Sequence, residues 1–291
     1  MKNTNSTATN AKTLITGATG KIGRRVVDAL AARGIETRVV SRSTSPAFDW
    51  NDTSTWDAAL EDVATAYISY APDLAIPGAT DTIRAFVDKA VAAGVGSLVL
   101  LSGRGEEEAQ ACERIVQASG VEWTVIRASW FMQNFSEGEF LHMLLEGAIT
   151  LPARDIPEPF IDVNDIADVA VAALAEDGHQ GEIYEVTGPR SLTFTELARE
   201  LSDALGREIP FVRVPQEAFA EAIEASGAPS EIAWLLNYLF ETVLDGRNAQ
   251  VGDGVQRALG REPADFSDYV RRVAARGIWD LPQAERAEDA A

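Results

Sequence analysis

The chain is poor in the residues that thiol and metal chemistry require. One cysteine, Cys112, stands among 291 residues. No disulfide can close within the chain, and no cysteine-based metal site can form. The two histidines, His142 and His179, do not make a ligand pair at helical spacing, so no metal is expected. Basic residues are also short: 25 Lys and Arg against 45 Asp and Glu give a net charge of −20. A surface of that sign repels phosphate backbones, which argues against nucleic-acid binding. No apolar run reaches membrane-spanning length. The segment 1–11, rich in Asn, Thr and Ser, lacks the apolar centre of a secretory signal and reads as a disordered lead. The expectation is a soluble, cytoplasmic protein without membrane association, as a monomer or homodimer.

Apolar residues are plentiful, at 46%, and their distribution is regular. The β-branched run Thr13-Leu14-Ile15-Thr16 enters a turn at Gly17-Ala18-Thr19-Gly20-Lys21-Ile22-Gly23, and an amphipathic helical pattern leaves it. Such a strand–turn–helix unit receives a pyrophosphate. Gly17 permits the tight turn, Gly20 lets the backbone approach the phosphates, and Gly23 lets the helix pack against the strand. Backbone N–H groups at the helix N-terminus then favour the anion.

Further strands are expected at 36–41, 47–50, 65–70, 97–102 and 123–127. Helices alternate with them, over 56–60, 79–93 and 106–119, the last two stopped by Gly94 and Gly120. This alternation predicts an α/β fold, a doubly wound parallel Rossmann-type sheet. Its ligand crevice lies at the carboxyl ends of the strands. That places the glycine turn, Ser41-Arg42, Ser69-Tyr70, Ser102-Gly103 and the stretch Ala128–Asn134 around one cleft. Beyond residue 134 the pattern loosens. Residues 12–134 read as the dinucleotide-binding core, and 135–291 as a smaller, mostly helical substrate lobe interwoven with it.

The second strand ends Val39-Val40-Ser41-Arg42, with no acid to hold a ribose 2′-OH. A serine hydroxyl and a guanidinium suit a 2′-phosphate, which favours NADP(H) over NAD(H). The cofactor-binding set is thus Gly17, Thr19, Gly20, Lys21, Ile22, Gly23, Ser41, Arg42, Ser69, Tyr70, Ser102 and Gly103. Ser102 is also the candidate catalytic donor to a substrate oxygen. Trp130, Phe131, Gln133 and Asn134 form an aromatic wall edged with amides, suited to a flat organic substrate. His142 on the following helix is a candidate at its edge. Core packing is the alternative for Trp130 and Phe131, and helix surface for His142. Cys112 reads as a packing residue, His179 as a surface turn residue, and Asn164 or Asp165 as a helix cap.

The glycine turn, Leu101-Ser102-Gly103, Gly120-Val121-Glu122-Trp123-Thr124-Val125-Ile126-Arg127, Asn134-Phe135 and Pro159–Ala167 together resemble the NmrA-like branch of the atypical short-chain dehydrogenase/reductases, over roughly residues 13–190. The resemblance implies an NAD(P)H-dependent reductase of quinones, imines or iminium species, enones or azo dyes. It equally admits a non-catalytic dinucleotide sensor. It also sets a conflict, because the tyrosine and lysine slots of short-chain dehydrogenases fall near Gly105 and Ala109. The stretch 105–113 holds no tyrosine, lysine or histidine. Hydride transfer to an electron-poor atom tolerates that loss, since positioning supplies much of the rate.

Overall fold

A computed structural model describes residues 12–138 and 140–281; the expected disordered lead lies outside them. The chain forms two compact units. One runs to Arg127 and takes in 166–184 and 257–259; the other holds 128–165, 185–256 and the chain from 260. The boundary near 134 expected from sequence is therefore crossed more than once.

Among the described residues there are eight strands: β1 (Lys12–Ile15), β2 (Thr37–Val39), β3 (Val63–Ile68), β4 (Ser97–Gly103), β5 (Glu122–Ala128), β6 (Ile149–Leu151), β7 (Glu182–Val186) and β8 (Phe211–Arg213). Six make one sheet in the order β2-β1-β3-β4-β5-β7. Its pairs β1–β2, β1–β3 and β3–β4 are parallel. The chain leaves β1 to pair on one side and returns on the other, so strand direction of travel switches between β1 and β3. Carboxyl ends at such a switch form the ligand crevice.

Helices α1 (Gly23–Ala32), α2 (Trp56–Leu60), α3 (Ala79–Ala92) and α4 (Glu107–Gln117) belong to this unit. Leu14, Ala66, Ile68, Leu98 and Leu100 pack in one core cluster with Ile83, Phe86, Cys112 and Val116. The expected strand at 47–50 is not formed: Ala47 makes a single bridge to Ser41. Its aromatic residues are used as a plug instead. Phe48 and Trp50 pack edge-on to Phe86 at 5.8 and 5.1 Å, and Trp56 donates its indole N–H to Asp49 O at 2.8 Å. Asp52 caps the turn that leads into α2, its side chain accepting from Ser54 N.

The second unit is mostly helical, with the parallel pair β6–β8, and β6 was not foreseen from sequence. Its core is rich in phenylalanine, including Phe135, Phe140, Phe160, Phe194, Phe240 and Phe266. The helix Phe194–Leu205 begins with a Thr193 cap, completed by Glu196 into a reciprocal capping box. The helix Val163–Ala175 is capped by Asp162, which accepts from Asn164 N at 2.8 Å, and not by Asn164 or Asp165. Among the described residues no helix is long and apolar enough to cross a membrane. None of their His, Cys, Asp and Glu side chains cluster as a metal site would.

Candidate active site

The crevice is built from four strand ends of the first unit. Thr16, at the end of β1, donates its hydroxyl to Tyr67 O at 3.0 Å and accepts from Ser69 N at 2.8 Å, so β1 and β3 end side by side. Gly17 follows with φ +63°, and a Cβ there would meet Ser69 Cβ and Oγ at 2.9 Å. Gly23 is tighter still: its Cβ would fall 2.2 Å from Gly17 O. The turn bends back on itself only because both positions lack side chains.

The N-terminus of α1 has no side-chain cap and no acid in its first turn. Arg24 N is held by Gly20 O at 3.2 Å, and the positive end of the helix dipole favours an anion at the turn. Thr19 and Gly20 are exposed, Lys21 half-buried, and Ile22 anchors the turn at 4% exposure. This cradle fits a dinucleotide pyrophosphate.

At the end of β2, Ser41 starts a hydroxyl-rich turn. Its N–H donates to Thr44 Oγ1 at 2.8 Å, and its Oγ lies 3.2 Å from Ser43 Oγ. Arg42 is exposed and has no partner among the described residues. Tyr70, after β3, packs against Trp50 at 5.2 Å and closes the floor between these turns.

The end of β4 departs from expectation. Ser102 is buried and donates its hydroxyl to Glu113 Oε1 at 2.6 Å. Arg127 Nε and Nη2 donate to the same carboxylate at 3.0 and 2.5 Å. The one proton of Ser102 is therefore committed to a buried ion pair, so the residue is a positioning group and not a free donor to substrate. Ala109, at the lysine slot, is fully buried in the core cluster. Burial also pushes the Cys112 thiol up to about 12, helped by Glu113 and Glu108, so it is inert packing as expected.

Two carboxyl groups meet beside Gly103: Glu106, which the sequence suggests only as one of three glutamates at a helix N-terminus, and Asp73, which carries no signal. Glu106 is buried and Asp73 half-buried, and a hydrogen bond links their side chains. Desolvation, then the neighbouring Asp73 charge, raises the Glu106 carboxyl well above the ordinary glutamate range. Asp73 is raised as well, by desolvation. Both shifts favour the protonated forms. Glu106 Oε2 has no hydrogen-bond partner. These residues are 33 positions apart and obey no local period; the only clue in the sequence is a glycine ending an otherwise bulky strand.

The post-β5 stretch belongs to the second unit. Trp130 lies 5.0 Å from Phe240 and stacks on Phe140 at 6.4 Å, half-buried in the aromatic cluster. Phe131 is half-buried and bridges to Ile161. Gln133 is buried: its amide donates to Asp162 at 2.7 Å and accepts from Val163 N at 2.9 Å, so it latches a helix start and does not edge a pocket. Asn134 is half-buried and opens the short helix Asn134–Glu137. His142 is corrected outright. Its side chain is 80% exposed and sits 2.9 Å from Glu146 along the same helix. His179, expected at the surface, is buried and its Nδ1 is 2.8 Å from Tyr184 OH.

Comparison with known proteins settles the lineage. A family model described as NAD(P)H-binding matches residues 17–177, and one described as the NmrA-like family matches 107–270. The chain belongs to the NmrA-like family. Among curated NmrA-like relatives, agroclavine dehydrogenase of Claviceps fusiformis is 33% identical, the alignment covering 88% of this chain and 95% of that protein. NAD(P)H azoreductase of Xenophilus azovorans is 30% identical over 90% of this chain and 98% of that one. The NADPH-complexed quinone oxidoreductase of Escherichia coli shares the NmrA-like fold with a TM-score of 0.76, at 22% identity over 90% and 99% of the two chains. In class, this NmrA-like protein is an NAD(P)H-dependent oxidoreductase.

Proposed function

We propose that the protein is an NADPH-dependent reductase of small cyclic or aromatic compounds with an electron-poor acceptor atom: quinones, imines or iminium species, enones or azo dyes. The uncapped N-terminus of α1 above the Gly17–Gly23 turn carries this reading, because it is a built receiver for a pyrophosphate. The unpartnered Arg42 beside the Ser41–Thr44 hydroxyls supports a 2′-phosphate over a free ribose hydroxyl. The names of the relatives point the same way, to azo compounds, agroclavine and quinones.

When bound, the dinucleotide supplies a hydride. The Thr19–Gly23 backbone holds its phosphates, and Ser69 and Tyr70 wall the turn. Ser102 fixes the end of β4 through Glu113 and Arg127. Glu106 keeps a transferable proton at that strand end, in place of a tyrosine–lysine pair.

The test is oxidation of NADPH and NADH by purified protein over a panel of quinones, imines, enones and azo dyes. Turnover of at least one acceptor, faster with NADPH, is the expected result. Tight NADP binding with no turnover anywhere on the panel would replace the reductase reading with that of a dinucleotide sensor.

A further inference from the structure

The second unit contains an open groove of about 430 Å³. Its shape follows from the two parallel strands β6 and β8, which lie in register with Leu151 opposite Arg213. Val214 N donates to Leu151 O at 3.2 Å, and then Pro152 and Pro215 end the ladder. The two chains part at the same end, and the groove opens there. Val214 and Phe240 contribute its apolar lining, with Gln216 and Glu241 beside them. Phe240 is itself 2% exposed and belongs to the aromatic cluster that holds Trp130.

Two arginines line this groove, Arg154 and Arg213. Both are exposed, and neither has a partner among the described residues. Elsewhere in the unit Arg190, Arg247, Arg261, Arg271 and Arg272 each pair with a carboxylate, and Arg207 donates to Leu144 O at 3.0 Å. In a chain with 20 more acids than bases, guanidinium groups find carboxylates readily. Two of them on one groove, with Glu241 the one acid in its lining, make a local excess of positive charge on a negative protein. Guanidinium forks match planar or tetrahedral oxyanions, and the apolar lining matches a ring.

We propose that this groove binds the acidic substituent of a conjugated ring compound, an aromatic or quinonoid molecule carrying a sulfonate, carboxylate or phosphate. The binding site stands without the reductase reading.

In the test, full-length protein saturated with NADP⁺ is titrated with 8-anilinonaphthalene-1-sulfonate and with its uncharged counterpart N-phenyl-1-naphthylamine, followed by fluorescence. The Arg154→Gln/Arg213→Gln double variant is expected to weaken the sulfonate about tenfold, the scale of two partly exposed charge contacts, and to leave the neutral probe unchanged. The wild-type preference is also expected to shrink at high salt. Equal affinity of wild type and variant for the sulfonate, or an equal loss for both probes, overturns the site.

Discussion

The carboxyl group of Glu106 occupies the space where Gly103 would carry a side chain. A Cβ on Gly103 would lie 2.3 Å from Oε1 and 2.4 Å from Oε2. Gly103→Ala must expel the acid from its niche, and about 1–3 kcal/mol of stability should be lost in denaturant titration. The raised Glu106 pKa gives a second outcome. Above the ordinary carboxylate value the folded state holds a proton that the unfolded state has released, so stability falls as pH rises from there through the folded value. Glu106→Gln keeps a hydrogen bond to Asp73 and removes this titration. The variant should gain stability relative to wild type between mildly acidic and alkaline pH, and its kcat should lose the alkaline fall that depends on Glu106. Parallel stability curves for the two proteins would show that Glu106 is ionised in the fold.

Gly23→Ala places a methyl group 2.2 Å from Gly17 O and 2.7 Å from Gly17 C. Both are backbone atoms, so the helix α1 must move away from the turn. Dinucleotide affinity should fall roughly a hundredfold, read by quenching of intrinsic fluorescence. Gly34→Ala is the control. It meets no atom within 4 Å, though its φ of +70° costs about 1 kcal/mol. It should bind the cofactor as wild type does.

Arg42→Ala should separate the two nicotinamide cofactors. If the unpartnered guanidinium holds a 2′-phosphate, Kd for NADPH rises about tenfold and Kd for NADH does not change. Equal effects on both would place Arg42 outside the 2′ site.

Arg127→Met leaves the 2%-exposed side chain of Glu113 without its counter-ion. About 3–5 kcal/mol should be lost in urea or thermal unfolding. Combining it with Glu113→Gln should recover a large part of that loss, because the stranded charge is gone. Additive losses in the double variant would mean that the pair is not coupled.

Features written in a few neighbouring residues were legible in the sequence. The Gly17–Gly23 turn, the apolar β4 run and the Thr193 cap each follow from local backbone chemistry, and each is present. What the sequence concealed was the use to which side chains are put across the fold. Ser102 and Gln133 looked like free donors because their partners, Glu113 and Asp162, lie 11 and 29 residues away. The strand expected at 47–50 has a suitable local pattern but is consumed by packing of Phe48 and Trp50 on Phe86. His142 sits in an apolar stretch, yet the helix turns it outward to Glu146. The groove arginines carry no motif at all. Their proximity arises only when β6 and β8 pair.

The position of β7 bears on how the chain is made. It is the neighbour of β5 in the six-stranded sheet, yet β5 ends at Ala128 and β7 begins at Glu182. A ribosome delivering this chain from its N-terminus releases five of the six strands long before the last. Until β7 emerges, β5 offers an unpaired edge rich in backbone donors and acceptors. Sheet completion thus waits on distant residues, a slow, long-range step. The vulnerable species in synthesis is the nascent chain halted between residues 128 and 182, and exposure of that edge to other chains is the hazard it carries.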